Sequence, residues 1–168
     1  MKIAIYPGSF DPVTSGHLNI IRRAAAIFDQ VIVCVMVNSA KKPMFTREER
    51  VEMIRKVTSD LPNVQVDYSA QLLAEYARLK GDCVIVKGLR AGSDFENEFQ
   101  MALINHKIND RLDTVFLTAE HQFTYLSSSM VKELAMYQVD LTGFLPEQII
   151  PDVQKRINEI CQGGTPNE

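Results

Sequence analysis

Ile3-Ala4-Ile5-Tyr6-Pro7-Gly8-Ser9-Phe10-Asp11-Pro12-Val13-Thr14-Ser15-Gly16-His17 is the stretch whose reading decides the fold. It begins as an apolar run, turns through Gly8, Pro12 and Gly16, and leads into an amphipathic segment over 18–28. That order is strand, tight loop, helix. The glycines and proline let the backbone turn sharply and pass close to a ligand. Gly16-His17 stands where the helix should begin, and a helix N-terminus offers N–H groups and the positive end of a dipole, which suit phosphate. An imidazole there can donate to a phosphate oxygen, so the segment reads as part of a nucleotide-handling site.

The remaining apolar runs repeat that unit. Strands are expected over 3–6, 31–37, 64–68, 83–87 and 115–118, with helices over 17–28, 47–58, 72–80 and 94–108 between them. Several runs are apolar throughout, as in strands covered on both faces. Thr46 with Glu49, and Ser93 with Glu96, have the spacing of capping boxes. In the first helix Leu18, Ile21, Ala25 and Phe28 fall on one stripe. Alternating strands and helices predict an α/β fold: a doubly wound, parallel, five-stranded sheet with helices on both faces and right-handed crossovers. Two further helices, over 128–137 and 151–161, should follow the last strand.

The bulk properties agree with one soluble domain. The chain has 168 residues, 46% hydrophobic and 23% charged, which is enough for one core. Residues 1–162 are read as that domain and 163–168, Gly-Gly-Thr-Pro-Asn-Glu, as a flexible tail. A net charge of −3 argues against a nucleic-acid-coating surface. No apolar stretch reaches the ~20 residues a membrane span needs, and Lys2 with its short apolar run is not a secretory signal. Cys34, Cys83 and Cys161 lack paired spacing, and His17, His106 and His121 are far apart. Reduced thiols, a cytoplasmic location and no protein-held metal are expected.

In a parallel sheet the ligand sits beyond the carboxyl ends of the strands, and the loops there hold the unusual residues. After the second strand, Lys41-Lys42-Pro43 is either a solvated pair or, at a strand's carboxyl end, a phosphate contact. After the fourth, Lys87-Gly88-Leu89-Arg90-Ala91-Gly92 is a basic turn or a second phosphate clamp in which Arg90 supplies a fork. Asp94 and Glu98 either orient those cations or are simply acids in an early helical turn. After the fifth strand, Ser127-Ser128-Ser129 opens a helix, and hydroxyls with N–H groups there suit nucleotide phosphates. No Gly-x-x-x-x-Gly-Lys-Ser/Thr loop, no Gly-x-Gly-x-x-Gly after the first strand and no nucleophile-elbow serine is present. These absences disfavour a P-loop kinase, a dinucleotide oxidoreductase and the common hydrolase.

Gly8-Ser9-Phe10-Asp11-Pro12 with Thr14-Ser15-Gly16-His17 resembles the signature of the small nucleotidyltransferases, and Ser127–Ser129 resembles that superfamily's second motif. Lys41-Lys42-Pro43-Met44-Phe45, Gly88-Leu89-Arg90, Asp94-Phe95-Glu96 and Val131-Lys132-Glu133 extend the likeness, in order, to the bacterial phosphopantetheine adenylyltransferases. The resemblance implies a Rossmann-like nucleotidyltransferase fold and adenylyl transfer from ATP to 4′-phosphopantetheine. It further implies Mg2+ carried by the ATP phosphates and a homohexamer, while charge and hydropathy argue against a nucleic-acid or membrane partner. Carried over by motif, His17, Lys41 and Arg90 would be catalytic, with His17 stabilising the transition state. Ser9, Lys41, Leu73 and Lys87 would bind phosphopantetheine. ATP would meet Ser9, Phe10, His17, Gly88, Leu89, Arg90 and Glu98, and also Phe123, Thr124, Tyr125, Leu126, Ser127, Ser128 and Ser129. Lys87 stands where arginine is frequent, Ser9 where threonine is common, Ser15 where asparagine is frequent, and Asn97 where an aromatic is often found. The rival readings are a nucleotidyltransferase with another acceptor and a non-catalytic nucleotide-binding module.

The long helix over 94–108 carries Phe95, Phe99, Met101, Leu103, Ile104 and Ile108. That is more apolar surface than one buried face needs, and it hints at a subunit contact.

Overall fold

A computed structural model of the chain describes residues 1–37, 42–90 and 92–163, without the side chains of 92–94 and 163. Lys41, the side chains of Ser93 and Asp94, and the tail from 164 therefore lie outside the described residues. Five strands form one sheet: β1 (Ile3–Gly8), β2 (Gln30–Met36), β3 (Val64–Ser69), β4 (Cys83–Leu89) and β5 (Asp113–Thr118). They alternate with α1 (Ser15–Ile27), α2 (Arg47–Val57), α3 (Leu73–Lys80) and α4 (Gly92–Ile108), and α5 (Ser128–Met136) and α6 (Ile150–Gly163) follow. Two single 3-10 turns, His121–Phe123 and Glu147–Ile149, precede α5 and α6.

All neighbouring strands are parallel, in the order β3-β2-β1-β4-β5. The chain winds outward from β1 to β3, then crosses back to lay β4 on the other side of β1. The two windings part between β1 and β4, and a crevice opens there beyond their carboxyl ends. This order also explains the sequence pattern. The interiors of the inner strands β1 and β2 are fully buried and β4 is buried at its centre, while the edge strands β3 and β5 mix half-buried and exposed positions.

Side chains leave the sheet in alternate directions and feed two cores. Tyr6, Val31, Val33, Val35 and Val86 face α1, α2, α5 and α6. Ile5, Ile32, Cys34 and Ile85 face Ala74, Tyr76 and Ala77 of α3. Each fully buried aliphatic contributes about 1.5–3 kcal/mol relative to exposure. On α1 the fully buried residues are Ile20, Ile21 and Ala24, with Leu18, Ala25 and Phe28 only half-buried. The stripe is rotated from the expected one because Ile20 reaches across to β4. A Cβ on Gly88 would stand 2.9 Å from Ile20 Cγ1. The glycine thus serves helix-on-strand packing.

Thr46 caps α2 in the expected box: its hydroxyl accepts the Glu49 N–H, and Glu49 accepts the Thr46 N–H at 2.7 Å. Cys34, Cys83 and Cys161 are all unpaired thiols.

Candidate active site

A cavity of about 280 Å³ opens at the carboxyl ends of β1 and β4. The end of β1 contributes Gly8, the loop after it Ser9, Phe10 and Thr14, and α1 contributes Gly16, His17 and Ile20. Lys87, Gly88 and Arg90 come from the end of β4, and Glu98 from α4. The start of α5 closes the far side with Phe123, Leu126 and the three serines. Most residues singled out from the sequence are therefore gathered in one place. Leu89 and Thr124 are not on this wall, and the Thr124 hydroxyl donates to the His121 carbonyl. Tyr125 is exposed, and Leu73 packs against the core on the opposite face of the sheet. Lys42 is exposed.

His17 is held by an unusual capping box. The Thr14 hydroxyl accepts the His17 N–H at 3.3 Å, and the Thr14 N–H donates to His17 Nδ1 at 3.0 Å. A box normally uses Glu or Gln at that third position; here an imidazole takes it. With Nδ1 accepting, a neutral ring carries its proton on Nε2. Burial pushes the His17 pKa down from 6.5 to about 4, and the nearby cations Arg90 and Lys87 push it the same way. The ring is also wedged by Phe10, edge-on at 5.1 Å between centroids. The site thus presents a fixed, uncharged N–H donor.

That shift couples to stability. Between pH 4 and 6.5 the unfolded chain binds a proton at His17 that the folded chain does not, so stability falls as the pH is lowered through that window. His17→Gln should lose less melting temperature between pH 7 and pH 5 than the parent does, as read by calorimetry. The His17 ring should show no NMR titration step between pH 5.5 and 8.

The helix ends are more committed than a bare helix N-terminus. The Ser15 N–H donates to the Phe144 carbonyl at 3.0 Å and the His17 N–H to Thr14, while the Gly16 N–H has no partner among the described residues. Of the three serines, Ser127 caps α5 by accepting the Met130 N–H, and Ser128 donates to the Pro12 carbonyl at 2.8 Å. The Ser129 hydroxyl and the N–H groups of Ser128 and Ser129 have no partner among the described residues. Arg90 Nη1 donates to the Leu126 carbonyl at 2.9 Å, fastening β4 to the α5 entrance. Lys87 Nζ pairs with Glu98 Oε2 at 3.1 Å. Glu98 therefore faces a cation as well as the cavity.

Asp11 and Arg50 were not singled out from the sequence, and both are structural keystones. Asp11, 5% exposed, accepts the N–H groups of Met44 and Phe45, each at 2.9 Å, and pairs with Lys132 Nζ at 3.0 Å. Arg50, 4% exposed, donates from Nη1 to the Ser9 carbonyl at 2.9 Å. Together with Ser128 on Pro12, these contacts tie the first loop to the loop before α2 and to α5. The His17 box was legible as Thr14 plus three; the Asp11 contacts span 33, 34 and 121 positions and leave no local signal. Asp11→Asn places an amide donor against donors, and should lower stability by about 2 kcal/mol, read as a drop in urea midpoint.

The cytidylyltransferase-like family model matches residues 5–134. A phosphopantetheine adenylyltransferase from Alkaliphilus metalliredigens is 52% identical over 156 residues, covering 93% of this chain and 99% of its own. One from Caldanaerobacter subterraneus subsp. tengcongensis is 49% identical over 159 residues, covering 95% and 99%. The chain belongs to the phosphopantetheine adenylyltransferase family. A phosphopantetheine adenylyltransferase from Clostridium botulinum agrees, at 50% identity over 158 residues and 94% and 96% coverage. Among solved structures, a protein from Vibrio parahaemolyticus, provisionally assigned as a nicotinate-nucleotide adenylyltransferase, superposes with a TM-score of 0.64 at 21% identity. It covers 92% of this chain and 95% of its own, and that likeness speaks for the fold alone. The phosphopantetheine adenylyltransferase relatives, matched along nearly their whole length, carry the family.

Proposed function

We propose that this chain transfers the adenylyl group of ATP to 4′-phosphopantetheine, giving dephospho-coenzyme A and pyrophosphate, the penultimate step of coenzyme A biosynthesis. The observation that carries the reading, beside the relatives' names, is the convergence of His17, Lys87, Arg90 and the Ser127–Ser129 helix end on one cavity at the β1–β4 crevice. A phosphate monoester oxygen attacks the α-phosphorus in line, and the bond from that phosphorus to the pyrophosphate oxygen breaks. A monoester's second pKa is about 6, so the nucleophile is already a dianion near pH 7 and no general base is needed.

The obstacle is repulsion between anions, and the cavity answers it with donors and cations. Nε2–H of neutral His17 donates to an α-phosphoryl oxygen as charge builds there. Lys87 holds the incoming phosphate, and Lys41 joins it on the sequence evidence. Arg90, the Ser129 hydroxyl and the N–H groups at the start of α5 steady the departing pyrophosphate. Mg2+ would ride on the nucleotide's phosphates and neutralise charge between them. Among the described residues no three His, Cys, Asp or Glu side chains gather, and Glu98 is already paired with Lys87.

The chain is also proposed to work as a homohexamer in the cytoplasm. α4 supports assembly: Phe95, Phe99, Met101, Leu103 and Ile104 are each 45–56% exposed on one helix, an apolar surface that a second subunit would cover. Light scattering at working concentration reads the assembly. A panel of acceptors with ATP, followed by pyrophosphate release, tests the reaction. Turnover with 4′-phosphopantetheine and not with nicotinate mononucleotide or glycerol 3-phosphate is expected; any other acceptor preferred, or none used, overturns the reading.

A further inference from the structure

Tyr6 stands at the carboxyl half of the central strand, 6% exposed, and lines the same cavity. Its ring is fixed edge-on to Phe10, with centroids 5.4 Å apart, and lies 6.4 Å from the His17 ring. Its hydroxyl is 3.9 Å from where a Cβ on Gly88 would be. Among the described residues that hydroxyl has no hydrogen-bond partner. It is not sealed in either, since the one fully enclosed side-chain oxygen or nitrogen without a partner among those residues is Asn19 Oδ1. Buried polar groups are nearly always paired, and a phenylalanine at this position would pack the same ring without the unpaired oxygen. A hydroxyl so withdrawn, on a residue that lines the cavity and beside Gly88 of its wall, is placed where a bond to what the cavity binds would give it a partner.

We propose that the Tyr6 hydroxyl is a further ligand-binding group of the active site, a neutral hydrogen-bond donor to a phosphoryl oxygen lying between His17 and Gly88. The inference takes its ligand chemistry from the adenylyl-transfer reading. Lys87 and Arg90 make this corner of the cavity attractive to anionic oxygens, towards which an O–H donates. Burial keeps the phenol far from ionising, and Arg90 and Glu98 act on it in opposite senses. Tyr6 is therefore a donor across the working pH range and takes no part as a base. A third neutral donor beside Nε2–H of His17 and the Gly16 N–H adds stabilisation without charge, so product release is not impeded by another cation.

Tyr6→Phe removes one oxygen and keeps the ring contacts. The full-length variant should melt at the parent's temperature or above it, because no hydrogen bond among the described residues is lost. Its kcat/KM for pyrophosphate release from ATP and 4′-phosphopantetheine should fall about 10- to 100-fold. Calorimetry with ATP alone and with 4′-phosphopantetheine alone locates the bond. Weaker ATP binding places the hydroxyl on the nucleotide, weaker acceptor binding places it on the incoming phosphate, and a fall in kcat with both affinities kept places it on the transition state. A variant within twofold of the parent in both affinities and in rate overturns the proposal. So does an activity loss matched by a melting temperature more than about 5 °C lower, which marks a packing role. If the parent releases no pyrophosphate with 4′-phosphopantetheine, the proposed function falls, while the ATP and acceptor titrations still decide whether the hydroxyl binds phosphate.

Discussion

His17→Ala is expected to lower kcat about 100- to 1,000-fold, the range found for loss of a single preorganised donor to a developing oxyanion, with ATP and 4′-phosphopantetheine affinities changed less than tenfold. The argument is geometric and electrostatic together. Thr14 occupies Nδ1, burial keeps the ring neutral, and Phe10 fixes its plane. Nε2–H is thus a donor held in place before substrate arrives, and its energy is realised where negative charge grows in the transition state. The alanine also deletes half of the capping box, which costs on the order of 1 kcal/mol of stability. His17→Gln separates the two effects, because Gln is a normal partner in such a box. It should recover the melting temperature and recover little of the rate. Single-turnover kinetics on both variants make the measurement; near-normal turnover in His17→Ala would remove His17 from the mechanism.

The second large effect is expected at Lys87. Lys87→Ala should raise the KM for 4′-phosphopantetheine about 100-fold while ATP binding weakens by less than tenfold. Truncation does more than remove a cation. It strips Glu98 of its partner and leaves a bare carboxylate, only 28% exposed, beside the anions the cavity must bind. Part of the loss is therefore repulsion rather than a missing contact. Lys87→Ala/Glu98→Gln should recover at least a tenfold share of the acceptor KM. Measured as a double-mutant cycle, strictly additive losses would show that the pair is not coupled. Equal losses for acceptor and ATP would refute the assignment of Lys87 to the acceptor side.

Much of the architecture was legible because its causes are local. Strand interiors announce themselves as runs such as Val31-Ile32-Val33-Cys34-Val35, and α2 by Thr46 and Glu49. Observed boundaries differ from the expected ones by a few residues at most, and they shift where the chain beyond the pattern is still hydrogen-bonded. β1 continues through Pro7 and Gly8 because both pair with Cys34 and Val35 of β2. The α1 stripe was misplaced by one position because helical periodicity cannot know that Ile20 will meet Gly88, 68 positions further along the chain. The two 3-10 turns carry no hydrophobic period and were not anticipated.

The site divides in the same way. Glycine turns, the paired helix starts and the cations at strand ends are sequence-local, so His17, Lys87, Arg90 and the serines stand out in the sequence alone. Motif membership did not tell which of their atoms remain for a ligand. Two of the three serine hydroxyls are used in capping and bracing, and Leu73 packs on the far face of the sheet.

By itself the sequence determined the succession of strands and helices, the parallel sheet and the loops that bear chemistry, since these follow from backbone preference, residue period and cap chemistry within a few turns of chain. Only the tertiary structure decided the strand order, the crevice between β1 and β4, the neutral state of His17 and the burial of the Tyr6 hydroxyl beside the cavity. Those depend on burial and on through-space neighbours such as Asp11 with Lys132 and Arg90 with Leu126, and desolvation and hydrogen bonding between distant residues exist only once the chain has closed on itself.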